Sequence, residues 1–262
     1  LAKPDQVTLT WSGDPQTTQS IQWRTGPSVP GGQVQWVKKS AYNRFQPARP
    51  KLAKARTFKM EDANLMNDPV VHRHTVALTG LEPGTEYPYR VGGVASDTPR
   101  YPRPAAFKTL KPSGPVKLLL LGDTGRGNLI QHKFATLLRN EQPDAVMFAG
   151  DIVYPSFTPK YEDFRHFSVY KEHMKSTPYF TAIGNHDLYD GDTAYLNAFH
   201  LPTNNLPSLG LKNPGVDYPF SGTEHFYSFD VGDAHVSVLY NPWFSHHIIT
   251  RDTNQLHWLT ND

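Results

Sequence analysis

The 262-residue chain has 26 lysines and arginines against 24 aspartates and glutamates, a formal net charge of +2, with 38% hydrophobic and 19% charged residues. That balance belongs to a globular protein of one large or two ordinary domains. It is too weakly basic to argue for nucleic acid as a partner, and no apolar run approaches the roughly 18 residues of a membrane-spanning helix. The lack of cysteine excludes disulfides, thiolate metal sites and a cysteine nucleophile.

The chain begins at Leu1 rather than Met, which fits a removed or trimmed leader. QVTLTWSG (residues 6–13) places Val7, Leu9 and Trp11 on one face of a strand. SIQWRTG and VQWVKK read as further short strands. Residues 38–68 are rich in Lys, Arg, Pro and Asn without clear periodicity, and read as a long loop with at most one strand. The basic run ARPKLAKARTFK within it is either a solvated face or a contact for an anionic partner. HTVALTGLEPGTEYPYRVGG (74–93) reads as two strands joined at Pro83-Gly84, a tight turn. Tyr87 stands where a tyrosine corner ties down that turn in an immunoglobulin-like sandwich. TLKPSGP (109–115) has the composition of a linker. The expected organisation is a β-sandwich over 1–110, a linker over 111–115 and a second domain over 116–262.

The second domain opens on LLLLGDTG (118–125), an apolar run that ends on a carboxylate. Four leucines read as an interior strand covered on both faces. An aspartate at its tip costs free energy unless something binds it. The pattern returns in DAVMFAGDIVY (144–154), ending on Gly150-Asp151, and in PYFTAIGNHD (178–187), ending on Gly184-Asn185-His186-Asp187. Between them, residues 128–142 place Leu129, Ile130, Phe134, Leu137 and Leu138 on one helical face, and 160–176 place Tyr161, Phe164, Phe167 and Met174 near one side of a second helix. Strand, helix, strand, helix, strand is the pattern of a parallel sheet, whose sites form at the carboxyl ends of its strands.

Aspartates, a tyrosine and an asparagine at such ends are hard oxygen donors, suited to hard cations. A carboxylate can bridge two cations, and paired metals clamp the attacking and leaving oxygens of a phosphoryl transfer.

GDTG, GDIVY and GNHD, in that order after three strands, resemble the first three of five metal-binding blocks of the purple acid phosphatases, a branch of the calcineurin-like metallophosphoesterases. The stretch LEPGTEYPYRVG resembles the fibronectin-III-like N-terminal domain of plant-type and some bacterial members. The resemblance covers nearly the whole chain. It implies an immunoglobulin- or fibronectin-III-like β-sandwich followed by an α/β metallophosphoesterase sandwich. It also implies hydrolysis of phosphate monoesters at acidic pH by metal-bound hydroxide at a dinuclear centre of iron(III) and a divalent iron, zinc or manganese. Small phosphorylated molecules are the implied substrates, and a secreted or periplasmic location is the implied setting.

By the same resemblance, Asp123 would bind iron(III), Asp151 would bridge both metals and Tyr154 would bind the iron as phenolate. Asn185 would bind the divalent metal through its side-chain oxygen. His186 would stay off the metals and serve catalysis by stabilising the transition state or protonating the leaving alkoxide. Most relatives in the wider group carry a histidine ligand two residues after the first aspartate; here that position is Gly125, and Tyr154 is the replacement donor. Two aspartates, a tyrosinate and a hydroxide would leave the five charges of the metals about one positive charge in excess, which favours a phosphate ester dianion. Arg126 is either a phosphate contact or a surface arginine. Asp187 either orients the His186 ring or caps a helix, and His166 and His173 read as surface or half-buried residues of the second helix.

The family pattern needs three more histidine ligands, from a V-x-x-H strand end and a G-H-x-H turn, and neither motif follows the GNHD block in the chain. The expectation is a chain lacking its C-terminal part, with NQLHWLTND as the helix before the fourth block, Leu256 and Leu259 facing the core, and apolar sheet faces left open. His246 and His247 in NPWFSHHIITRD are the alternative ligands. Two rivals remain: a phosphodiesterase or nucleotidase of the same fold, and a non-catalytic binding protein with a degenerate site. Intact Asp123, Asp151, Tyr154, Asn185 and His186 argue against the latter.

Overall fold

The computed structural model describes residues 3–41, 49–62, 68–93, 104–203, 224–241 and 253–262. His246 and His247 lie outside the described residues. The first part of the chain forms β1 (Asp5–Thr10), β2 (Gln19–Thr25), β3 (Gly32–Trp36), β4 (Lys51–Lys54), β5 (Arg56–Glu61), β6 (Val70–Leu78), β7 (Glu86–Gly93) and β8 (Ala105–Lys108). They pair antiparallel in two four-stranded sheets, ordered β1-β2-β6-β5 and β4-β3-β7-β8. Alternation explains the packing: in β3, Val34 and Trp36 are buried while Gln33 and Gln35 are half-exposed. Leu9, Ile21, Trp23, Val76 and Phe107 fill the space between the sheets with them. The tyrosine corner is present, with the Glu82 amide donating to the Tyr87 hydroxyl at 2.8 Å.

Two readings of this region need correction. Residues 38–68 supply two strands, β4 and β5, whose Lys and Arg side chains face outward from edges of the two sheets. Charge on an edge is a normal guard against unwanted pairing, and it dilutes the alternation that marks a strand. Trp11 does not share the core of Leu9: its ring packs on Phe180 at 5.5 Å and Phe229 at 6.3 Å, in the core of the second domain. Irregular pairing between Asp5 and Thr8 shifts the register of β1 on β2.

The second part contains β9 (Leu118–Leu121), α1 (Leu129–Glu141), β10 (Ala145–Phe148), a π-helical turn (Asp163–Phe167) leading into α2 (Ser168–Met174), and β11 (Tyr179–Thr181). Then come α3 (Thr193–Ala198), the antiparallel hairpin β12 (Tyr227–Val231) and β13 (Ala234–Val238), and α4 (Thr253–Asn261). β9, β10 and β11 form the expected parallel sheet, with β10 central and Val146 opposite both Leu119 and Tyr179. All three strands therefore release their chain at the same edge. Among the described residues, no helix is long and apolar enough to cross a membrane.

The leucine run is not interior. β9 is an edge strand and Leu120 is 66% exposed. α1 likewise buries Gln131, Ala135 and Leu138, while Leu129, Phe134, Leu137 and Ile130 (75% exposed) face outward. In α2 and the turn before it, Phe167, Tyr170 and Met174 are buried and Phe164 is exposed. His166 and His173 are both buried, contrary to expectation. In α4, Trp258 is buried against Phe226 and Leu259 is partly buried, but Leu256 is exposed.

The two parts are joined by more than the linker. Arg73 of β6 and Glu162 form an ion pair at 2.7 Å, both essentially without solvent exposure. Gln6 and Arg24 extend it to Asp163 at 3.1 and 3.4 Å. Burial pushes the Glu162 carboxyl up, against the pull of Arg73 and Arg24. The Tyr89 hydroxyl donates to the Lys175 carbonyl at 2.7 Å, and Leu9 forms a parallel bridge with Pro178.

Candidate metal centre

The parallel sheet places Asp123, Asp151 and Asn185 on the turns that follow β9, β10 and β11. Asp123 and Asp151 both adopt the left-handed conformation, with φ of 57° and 50°. Among residues with a side chain this region is sparsely populated, and Asp and Asn tolerate it best. Such backbone outliers collect at functional sites.

Tyr154 lies between the two aspartates. Its hydroxyl is 2.6 Å from Asp123 Oδ1 and 2.9 Å from Asp151 Oδ2. One phenolic proton thus serves two carboxylates. Burial, then these two hydrogen bonds, pushes the phenol well above its usual range. The other Asp151 oxygen, Oδ1, accepts from the His186 amide at 3.0 Å. The bridging position of the sequence reading is therefore tied to both neighbouring turns.

Gly125 explains how Tyr154 reaches this place. A Cβ at residue 125 would collide with the backbone of Ile152 and Val153. The glycine lets that segment pack directly on the first turn, and the Tyr154 amide donates to the Gly125 carbonyl at 2.8 Å. A histidine at 125 would displace the Ile152–Val153 backbone that leads into Tyr154, so the two positions are coupled by sterics as well as by donor chemistry. Arg165 also donates to the Tyr154 carbonyl from the π-helical turn.

The His186 ring packs on Tyr154 at a tilt of 54°, with centroids 4.5 Å apart, and its Nδ1 donates to the Pro155 carbonyl at 2.7 Å. Nε2 makes no hydrogen bond among the described residues and is the nitrogen left for chemistry. The Arg126 guanidinium lies over the Tyr154 ring, 4.6 Å from its centroid, with the residue itself exposed. Asn185 directs its amide nitrogen to the Tyr189 hydroxyl at 2.8 Å.

Asp187 does neither of the two things expected of it. It is fully buried and accepts from the amides of Ile152 (2.9 Å), Gly184 (2.9 Å) and Val153 (3.4 Å). It pins the turn that carries Asp151 to the turn that carries Asn185. Burial raises its carboxyl to about 7, against those backbone hydrogen bonds. Tyr189, the Pro155 carbonyl and Arg165 were not singled out by sequence. Of these only Tyr189 had a signal, its four-residue spacing from Asn185.

Among the described residues no group of three or more His, Asp or Glu side chains gathers to hold a metal. The convergence is of two carboxylates with a phenol, three hard oxygens around one point, which fits a hard cation in place of the shared proton. Two of the described histidines beyond this site are engaged elsewhere. His225 pairs with Asp192 at 3.0 Å, and His235 bridges Asp230 and Asp262 at 2.7 and 2.8 Å.

Comparison with known proteins agrees with this architecture. Residues 107–260 match the calcineurin-like phosphoesterase pattern, and the chain belongs to that family of metallophosphoesterases. Residues 4–109 match the N-terminal domain of purple acid phosphatases, which narrows the membership to the purple acid phosphatase branch. Human acid phosphatase type 7 is 27% identical over the whole chain, which spans 54% of that protein. Purple acid phosphatase 21 of Arabidopsis thaliana is 27% identical over 72% of the chain and 39% of its own length. The chain thus spans about half the length of the curated relatives it matches. A solved structure described as PhoD shares the fold over 90% of the chain and 52% of its own, with a TM-score of 0.54 and 14% identity.

Proposed function

We propose that the protein hydrolyses phosphate monoesters of small molecules at acidic pH, as a secreted or periplasmic enzyme with a dinuclear iron(III)–divalent metal centre. The observation that carries this reading is the Tyr154 hydroxyl within hydrogen-bond reach of both Asp123 and Asp151, made possible by the missing side chain at Gly125. Asp123 and Tyr154 would hold the iron, Asp151 would bridge, and Asn185 would serve the divalent ion of iron, zinc or manganese. Bound metals of this kind activate water at neutral or lower pH and offset phosphate charge.

The chain's own residues supply the rest. His186 is held by Pro155 through Nδ1, so its Nε2 faces outward with a fixed tautomer. With both nitrogens protonated, Nε2–H can donate to a phosphate oxygen or to the leaving alkoxide. Asp187 keeps the Asp151 and Asn185 turns at a fixed spacing without touching substrate. Arg126, exposed beside the Tyr154 ring, would be free to contact a phosphate oxygen.

The test is the visible spectrum of the oxidised, iron-loaded protein, produced at the full length of its natural reading frame. A tyrosinate-to-iron charge-transfer band is expected, and Tyr154→Phe should bleach it while some iron stays on Asp123 and Asp151. A protein holding two metals yet colourless when oxidised would refute the role of Tyr154.

A further inference from the structure

Asn185 can present either end of its amide to a cation, and only the oxygen is a ligand. In the structure one contact orients the amide: its nitrogen donates to the Tyr189 hydroxyl at 2.8 Å. The two residues are four apart, across the short 3₁₀ helix His186–Leu188. With its nitrogen engaged there, the amide turns its oxygen away, and Oδ1 makes no hydrogen bond among the described residues. The Tyr189 ring also contacts the His186 ring, with centroids 4.5 Å apart and a tilt of 54°, the same as for Tyr154. His186 thus touches two phenol rings.

We propose that Tyr189 is a positioning residue of the metal centre: its hydroxyl fixes the Asn185 amide with the oxygen toward the divalent cation, and its ring steadies His186. The inference rests on the reading of Asn185 as a ligand. Its physical basis is general. A ligating group held by an outer hydrogen bond does not spend binding free energy on being oriented, and loss of such a partner typically weakens metal affinity by roughly 10- to 100-fold. A phenol suits the role because its oxygen can accept from the amide nitrogen, and a phenylalanine ring would keep the ring contact while removing the acceptor.

The experiment compares Tyr189→Phe, Asn185→Ala and the double variant in the iron-loaded protein at natural length, with Mn²⁺ affinity measured by chelator competition. Tyr189→Phe should bind Mn²⁺ roughly 10- to 100-fold more weakly, with an unchanged melting temperature. In the Asn185→Ala background the same change should have no further effect. Tyr189 is 52% exposed, and the phenylalanine substitution removes only its hydroxyl. If Asn185→Ala weakens Mn²⁺ binding but Tyr189→Phe binds as the parent does, the positioning role is overturned alone. If Asn185→Ala itself binds Mn²⁺ normally, the ligand assignment falls, and this inference falls with it.

Discussion

The leading sandwich and the α/β part bury their apolar side chains to different degrees. In the sandwich each sheet covers the other, and Leu9, Ile21, Trp23 and Val34 are without solvent exposure. In the α/β part the inner side is as well packed, around Phe148, Tyr170 and Tyr179, but the outer side is not. Leu120 on β9 and Leu129, Ile130 and Leu137 on α1 are mostly in water. Single exposed apolar residues are ordinary, whereas several on adjoining elements form a patch. The two parts also differ in what their polar interior does. The sandwich uses buried polar groups to close itself and to hold its neighbour; the α/β part uses them to hold three turns at one sheet edge.

The largest expected effect is at the seam. Glu162→Ala would strand Arg73 in a dry environment, since the guanidinium cannot shed its proton. Breaking a buried pair from one side costs about 3–5 kcal/mol, whereas replacing both partners with apolar residues is often neutral. Urea denaturation of Glu162→Ala and of the double variant Arg73→Met/Glu162→Leu should separate these cases. A loss below about 1 kcal/mol in the single variant would mean that the two parts barely depend on each other.

The next effect is one of pH, and it also distinguishes the parts. His166 sits among Phe148, Phe167, Tyr170 and Phe199, and neither ring nitrogen has a hydrogen-bond partner. Burial lowers it to about 3. The unfolded chain therefore takes up a proton below about 6.5 while the folded one does not until about 3, so the stability contribution is complete above pH 6.5 and is lost as pH falls toward 3. At pH 5 the loss is about 2 kcal/mol. His166→Leu should remove that much of the acid sensitivity and cost less than about 1.5 kcal/mol at pH 7. In the sandwich, His74 is lowered to about 4 by burial and then by His72, but it bonds Thr25 and Thr57 at 2.8 Å. His74→Leu would remove this partner from both hydroxyls and should destabilise at every pH. Equal pH-stability curves for the parent and His166→Leu would show that His166 reaches solvent.

What could be read from sequence follows the same division. The sandwich was legible because two-residue alternation and a turn with Pro83-Gly84 report burial on one face directly, and Tyr87 closes its corner as expected. The edge strands β4 and β5 were missed because charge on an edge hides alternation. The three strand ends were legible because an apolar run that stops on a donor has few purely structural explanations when it recurs three times. Periodicity failed on α1, where it marks an apolar side but not what covers it. Asp187 was misjudged for a related reason: its partners are backbone amides from a distant turn, which no spacing in sequence reveals. At the metal centre, Gly125 was read as a vacancy, while its steric meaning needed the position of Ile152.

The smallest expected effect tests that last point on α1 most sharply. Leu138 and Ile130 lie on the same helix; Leu138 is 4% exposed and Ile130 is 75% exposed. Leu138→Ala should leave a cavity against the parallel sheet and cost about 2–5 kcal/mol. Ile130→Ala should change stability by no more than about 0.5 kcal/mol. Its sign should favour the variant slightly, because a β-branched side chain loses rotamer freedom in a helix and alanine does not. The same holds for Leu137→Ala, where the helix propensities are close. Thermal or urea unfolding of the three variants under one set of conditions measures this. If Ile130→Ala also costs 2 kcal/mol or more, the outer stripe of α1 is covered in the folded protein in solution. The α/β part would then be closed on both sides, as the sandwich is, and the contrast between the two would vanish.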